Sequence, residues 1–190
     1  MLLRAPTLAS THAIATAIAR MARPGDIIAL AGEMGAGKTA FAQGFGRALG
    51  ITEAITSPTF TLVHSYPVPG TKLTLHHADL YRLDSTGDVD DLALHELAEF
   101  GGIVLIEWGD VAAATLGAHL EVRLGRVDDP DDDDPDDDVA AADEHDADAD
   151  DDADDDFGLD EARSIELHAT GAAWAGRWDR LRDELEAYRC

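Results

Sequence analysis

Apolar positions change period several times along the chain, and each change predicts an element. Ile14, Ile18 and Met21 recur at steps of four and three behind the capping candidates Ser10 and Thr11, which is the spacing of one helical face. Arg23, Pro24, Gly25 and Asp26 end that helix. Residues 26–31 (DIIALA) form a short, almost wholly apolar run, as in a strand buried on both faces; a glycine-rich turn follows, then a helix over 39–49 closed by Gly50. Residues 59–66 and 73–80 are rich in β-formers, and the Pro67 to Lys72 stretch between them has turn chemistry, which predicts an antiparallel hairpin. Leu92, Leu94, Leu97 and Phe100 give residues 90–100 helical spacing, and Gly101 and Gly102 stop that helix before the apolar strand 103–108.

Two later segments, 119–124 (HLEVRL) and 164–169 (SIELHA), alternate with period two, the mark of paired strands with one wet face. At the C-terminus, Trp174, Trp178, Leu181, Leu185 and Tyr188 follow one another at steps of four, three, four and three, predicting a helix with a continuous apolar stripe. No internal repeat is present. Together these elements predict one α/β domain with a mixed, mostly parallel central sheet flanked by helices. Residues 1–127 form its core, 128–161 an acidic insert, and 162–190 a C-terminal strand and helix that complete the same domain.

Charge changes this picture less than the formal net of −25 suggests, because the charge is concentrated. Residues 128–156 hold 19 of the 39 acidic residues and no Lys or Arg; the rest carries 20 acidic against 14 basic residues, a net of −6. The tract has too little apolar content and too much self-repulsion to collapse, so it is expected to be a disordered, solvated loop. A body without a basic excess is poorly suited to hold nucleic acid by itself. The one cysteine, Cys190, excludes a disulfide framework and a Cys-based metal site and fits a reducing cytoplasm. No run approaches the roughly 18 apolar residues of a membrane span, so no membrane partner is expected.

Candidate chemistry centres on GEMGAGKT, residues 32–39, which matches GxxxxGK[ST] at every fixed position and lies where a strand meets a helix. Gly32, Met34, Gly35, Ala36 and Gly37 supply a backbone that wraps phosphate with N–H groups. The helix N-terminus adds its positive dipole, Lys38 reaches β- and γ-oxygens, and the Thr39 hydroxyl ligates Mg²⁺. The pattern therefore predicts a P-loop NTPase domain using Mg²⁺ and a nucleotide. Without an AsnLysXaaAsp guanine-reading motif, or AspXaaXaaGly after Asp79, ATP is the expected nucleotide. Without an Arg-rich lid segment a small-molecule kinase is the weaker alternative. A binding module with incidental hydrolysis remains a third reading.

A phosphate loop needs a further carboxylate for Mg²⁺ and a residue to orient the attacking water. Asp79 and Glu107, each at the end of an expected strand, are the candidates for metal binding and catalysis. Ser57, Pro58 and Thr59 open a strand, and spacing alone favours a turn there over a segment facing the γ-phosphate. Trp108 reads as a core residue, and His64, His76, His77, His95 and His119 as ordinary surface or core residues.

With the phosphate loop, SPTFTLV (57–63), HADLYRL (77–83) and IEWGD (106–110) in this order and spacing, the chain resembles the TsaE family, also called YjeE, over about residues 10–124. These are P-loop ATPases of tRNA threonylcarbamoyladenosine formation. The resemblance implies that Thr39 and Glu107 serve Mg²⁺, that Asp79 takes the Walker B-like role, and that Ser57, Thr59 and Trp108 flank the nucleotide. It further implies that ATP binding and hydrolysis support TsaB and TsaD partners, with tRNA met only through their complex. The departure from the family pattern is the acidic insert, which interrupts a strand pair where a short connection is expected and bears on any C-terminal nucleotide contact, Arg163 being the candidate.

Overall fold

Five apolar residues in a row leave Ile27–Ala31 no wet face, and the strand they form, β2, lies inside a seven-stranded sheet with both sides covered. The computed structural model describes residues 1–58, 60–82, 92–127 and 161–190. Thr59, the start of the expected 90–100 helix and all of the acidic insert but Glu161 lie outside the described residues. The other strands are β1 (Leu2–Ala5), β3 (Val63–Pro67), β4 (Thr74–Asp79), β5 (Gly102–Glu107), β6 (His119–Arg126) and β7 (Arg163–Thr170). The described helices are α1 (Leu8–Met21), α2 (Lys38–Ala48), α3 (Leu94–Glu99) and α4 (Trp178–Glu184).

Across the sheet the order is β1-β7-β6-β2-β5-β4-β3. Strands β6, β2, β5 and β4 are mutually parallel, and β3 and β7 run against their neighbours in that block. Because β1 is antiparallel to β7, it points with the parallel block, so five of the seven strands share a direction and the sheet is mixed and mostly parallel.

Alternation along β2 builds two cores. Ile28 and Leu30 join Ile14, Ile18, Phe41, Phe45, Leu105 and Val122 under α1 and α2, whereas Ile27 and Ala29 join Val104, Ile106, Leu94 and Ala98 on the opposite face. Each fully buried Ile, Leu or Phe contributes about 1.5–3 kcal/mol, so packing on both faces fixes the strand and with it the loop that leaves its end. Beyond β2 the second face opens to water. Leu120, Val122, Leu124, Ile165 and Leu167 are buried on one side of β6 and β7, while Arg123 and His168 are exposed on the other, the one wet face that the period-two pattern predicts.

Several local features differ from the sequence reading; among them, the helix expected over 90–100 is described only as Leu94–Glu99, and Phe100, expected on its apolar face, is 88% exposed. Helix α1 begins earlier than Ser10: Thr7 is its N-cap, and its hydroxyl oxygen accepts from the Ser10 N–H at 3.2 Å. Strand β1 was not foreseen, since four residues are too few to show a period; its burial alternates once Leu3 pairs with Ile165. The hairpin forms, but β3 starts only at Val63. The C-terminal stripe buries Trp174, Leu181 and Leu185 as expected, yet it is not one helix: α4 is flanked by 3-10 turns at Ala175–Arg177 and Glu186–Tyr188. At its start the Arg177 N–H donates to Trp174 O at 3.0 Å, a 3-10 bond, while the Arg177 guanidinium donates to the Ala173 carbonyl.

The same guanidinium makes a buried bidentate pair with Asp26, at 2.5 and 2.8 Å, and donates to Met21 O at 2.8 Å. It ties the C-terminal segment to the turn between α1 and β2. Among the described residues no helix is long and apolar enough to cross a membrane.

Candidate nucleotide and metal site

The loop from β2 to α2 leans against β6, and its first glycine is dictated by that approach. At Gly32 the backbone has φ +136°, and a Cβ there would fall 2.2 Å from Leu124 O, so no other residue fits. Ala36, 2% exposed, anchors the loop in the core, while Met34 stands out at 65%. Gly37, in the left-handed region, precedes α2 without a side-chain cap, which leaves the helix's first N–H groups and its positive dipole for an anion.

Lys38 is buried and lies across the loop. Its Nζ donates to Gly32 O at 2.9 Å and Glu33 O at 2.8 Å and sits 3.7 Å over the Trp108 ring. Burial pushes its amine below the usual lysine range, against the opposing pull of Glu107, Asp79 and Asp110.

Parallel pairing of β4 with β5 sets Asp79 opposite Glu107, and both carboxylates are buried at 3% exposure. The Thr39 hydroxyl donates to Glu107, 2.9 Å from Oε1 and 3.1 Å from Oε2, and His77 Nε2 lies 2.9 Å from the same Oε1. Asp79 accepts from the Ser57 hydroxyl and, at 2.9 Å, from the Tyr81 N–H. Trp108 follows Glu107 with φ +58°, an uncommon conformation for a residue with a side chain, and its ring packs against Tyr81 at 5.0 Å. One hydroxyl and two carboxylates are hard oxygen donors, the set that suits Mg²⁺ shared with phosphate oxygens.

The structure thus brings together Gly32, Met34, Gly35, Ala36, Gly37, Lys38, Thr39, Ser57, Asp79, Glu107 and Trp108, at the ends of β2, β4 and β5 and the start of α2. Two readings need correction. Trp108 is only half-buried and offers its ring face to Lys38, so it is more than a core residue. His77 is not an ordinary histidine, since it is fully buried and bonded to Glu107. Arg126 was missed and Arg163 was met only through the family. Their strands pair them directly, and Arg126 Nη2 stands 3.1 Å from where a Cβ on Gly35 would be, with Arg163 Nε 4.0 Å from the same point on Gly37. Glu161 binds Arg163 at 3.1 Å. No local sequence signal marks these arginines, because the acidic tract separates them along the chain.

A strand, a glycine-rich turn and a capless helix at the carboxyl ends of parallel strands define a P-loop α/β protein. The family model described as threonylcarbamoyl adenosine biosynthesis protein TsaE matches residues 5–132, and the chain belongs to that family. The tRNA threonylcarbamoyladenosine biosynthesis protein TsaE of Bacillus subtilis is 44% identical over 98 residues, 52% of this chain and 60% of that one. Its namesake in Mycobacterium bovis is 36% identical over 135 residues, covering 66% of this chain and 79% of the relative. The crystal structure of Bacillus subtilis YdiB superposes with a TM-score of 0.62 at 27% identity, over 98% of this chain and 94% of the other.

Proposed function

We propose that the chain is the Mg²⁺-dependent, ATP-binding and ATP-hydrolysing component of the machinery that forms N6-threonylcarbamoyladenosine in tRNA, supporting a TsaB–TsaD complex and meeting tRNA only through it. The observation that carries the reading is the Thr39–Glu107 hydrogen bond at the mouth of the phosphate loop, with Asp79 beside it. In a P-loop site the same hydroxyl faces the metal, and an acidic partner holds it there. The names and lengths matched by the relatives supply the pathway.

In this reading the N–H groups at the start of α2 seat the phosphates, and Lys38 exchanges the Gly32 and Glu33 carbonyls for β- and γ-oxygens. Thr39, Glu107 and Asp79 would hold Mg²⁺, which would supply positive charge to the phosphoryl oxygens. Either Asp79, tied to the Ser57 segment, or Glu107 orients the attacking water. Trp108 and Ser57 wall the nucleotide.

The test is phosphate release from Mg-ATP by the chain alone and with TsaB and TsaD, with GTP as control. Partner-stimulated turnover specific to ATP is expected. Turnover that ignores the partners, or a phosphorylated small-molecule product in place of free phosphate, would overturn the assignment.

A further inference from the structure

We infer that His77 is a positioning residue for this site, holding the Glu107 carboxylate from below so that its remaining lone pairs face Thr39 and the metal. The inference rests on the Mg-ATP reading above. It starts from an oddity of burial: His77 is 0% exposed, yet its Nδ1 has no partner among the described residues. An unpartnered buried ring nitrogen destabilises a fold, and a leucine would fill the same space without that cost. What the imidazole provides is therefore at its other nitrogen. Nε2 lies 2.9 Å from Oε1 and donates to it, whereas Nδ1 makes no bond to a described residue.

Geometry assigns the two partners of Glu107 different parts. Thr39 belongs to the phosphate loop and reaches both carboxylate oxygens, on the side where nucleotide and metal would lie. His77 comes from β4, two residues before Asp79 and therefore on the same face of the strand, and it touches Oε1 alone. One histidine thus fixes the rotamer of a carboxylate whose neighbour Asp79 is already pinned by Ser57 and the Tyr81 N–H. Partners behind metal ligands of this kind typically alter metal affinity or activity by about 10–100-fold when removed.

The experiment uses the full chain as wild type, His77→Leu, which removes the donor, and His77→Gln, which returns an N–H near the Nε2 position. A fluorescent ATP analogue reports binding as Mg²⁺ is titrated, and phosphate release gives kcat and KM. His77→Leu is expected to raise half-saturating Mg²⁺ by about 10-fold or more and to lower kcat by a similar factor, with KM for ATP at saturating Mg²⁺ within about two-fold. His77→Gln should recover most of both. Unchanged Mg²⁺ dependence and kcat in His77→Leu would overturn the inference while leaving the Mg-ATP reading intact. A wild type without Mg²⁺-dependent nucleotide binding would overturn both.

Imidazole ¹⁵N spectra of the wild type need no variant to fold. A slowly exchanging Nε2-protonated His77 that persists when Mg²⁺ and ADP are added is expected, and loss of that proton on addition would contradict the positioning role.

Discussion

Charge is buried in two places in this molecule, and they are built on opposite terms. At Asp26 the carboxylate meets the Arg177 guanidinium through two parallel bonds and takes a third, 2.7 Å long, from the Arg23 N–H. At the ends of β4 and β5 two carboxylates stand side by side; their partners include hydroxyls, a backbone N–H and an imidazole, while Lys38 gives its bonds to backbone carbonyls. The first pair is matched in charge and geometry and holds three segments of chain together. The second gathers two carboxylates and a hydroxyl oxygen beside a cation whose hydrogen bonds go to backbone carbonyls, which is an arrangement suited to receiving a metal and an anion. Buried charge by itself therefore does not mark a site; the oxygen donors set beside a phosphate loop do.

Substitutions should separate the two centres cleanly. The largest effect expected on nucleotide binding is that Lys38→Ala weakens it by at least about 100-fold, since it removes charge-assisted bonds to two phosphates, with little loss of melting temperature. Equilibrium titration with a fluorescent analogue measures it. Arg177→Ala should do the reverse: leaving Asp26 buried and unpaired costs about 3–5 kcal/mol in chemical denaturation, while nucleotide affinity of the folded fraction stays within a few-fold. If Arg177→Ala cut affinity as deeply as Lys38→Ala, the separation of the two centres would be lost. Asp79→Asn keeps the shape but not the charge, and is expected to slow turnover about 100-fold with affinity changed much less.

The smallest effect is one of pH. The Lys38 amine is held below the usual lysine range, near 10.4, and binding phosphate requires the cation. ATP affinity should therefore be full below that lowered pKa and decline as pH rises through it, at a lower pH than an ordinary lysine would give. In the nucleotide-free protein the sign is opposite for stability: between the lowered and usual values the unfolded chain binds the extra proton, so stability rises with pH across that window. Lys38→Met should abolish both trends.

What the sequence showed and what it hid follow one rule. The phosphate loop was legible because each of its tasks demands a residue type at a fixed offset, and β2 and β5 because burial on both faces leaves an apolar run. Asp79 and Glu107 could be found as strand-end carboxylates, but nothing in one dimension says that they are register partners. His77 looked ordinary because its significance is a bond across strands, 30 residues away. Arg126 and Arg163 meet only through the β6–β7 ladder, and β1 becomes a strand only by pairing with β7. The C-terminal stripe showed its apolar face but not that 3-10 turns interrupt the helix at both ends, because 3-10 and α turns share much the same apolar spacing over so few residues.

The central claim is that Lys38, Thr39 and Glu107 form a working Mg-ATP site, and Glu107→Ala tests it most directly when binding and phosphate release are measured on the same preparation. At saturating Mg²⁺ the account predicts nucleotide affinity within a few-fold of wild type and phosphate release reduced to background. Wild-type phosphate release from Glu107→Ala would contradict it.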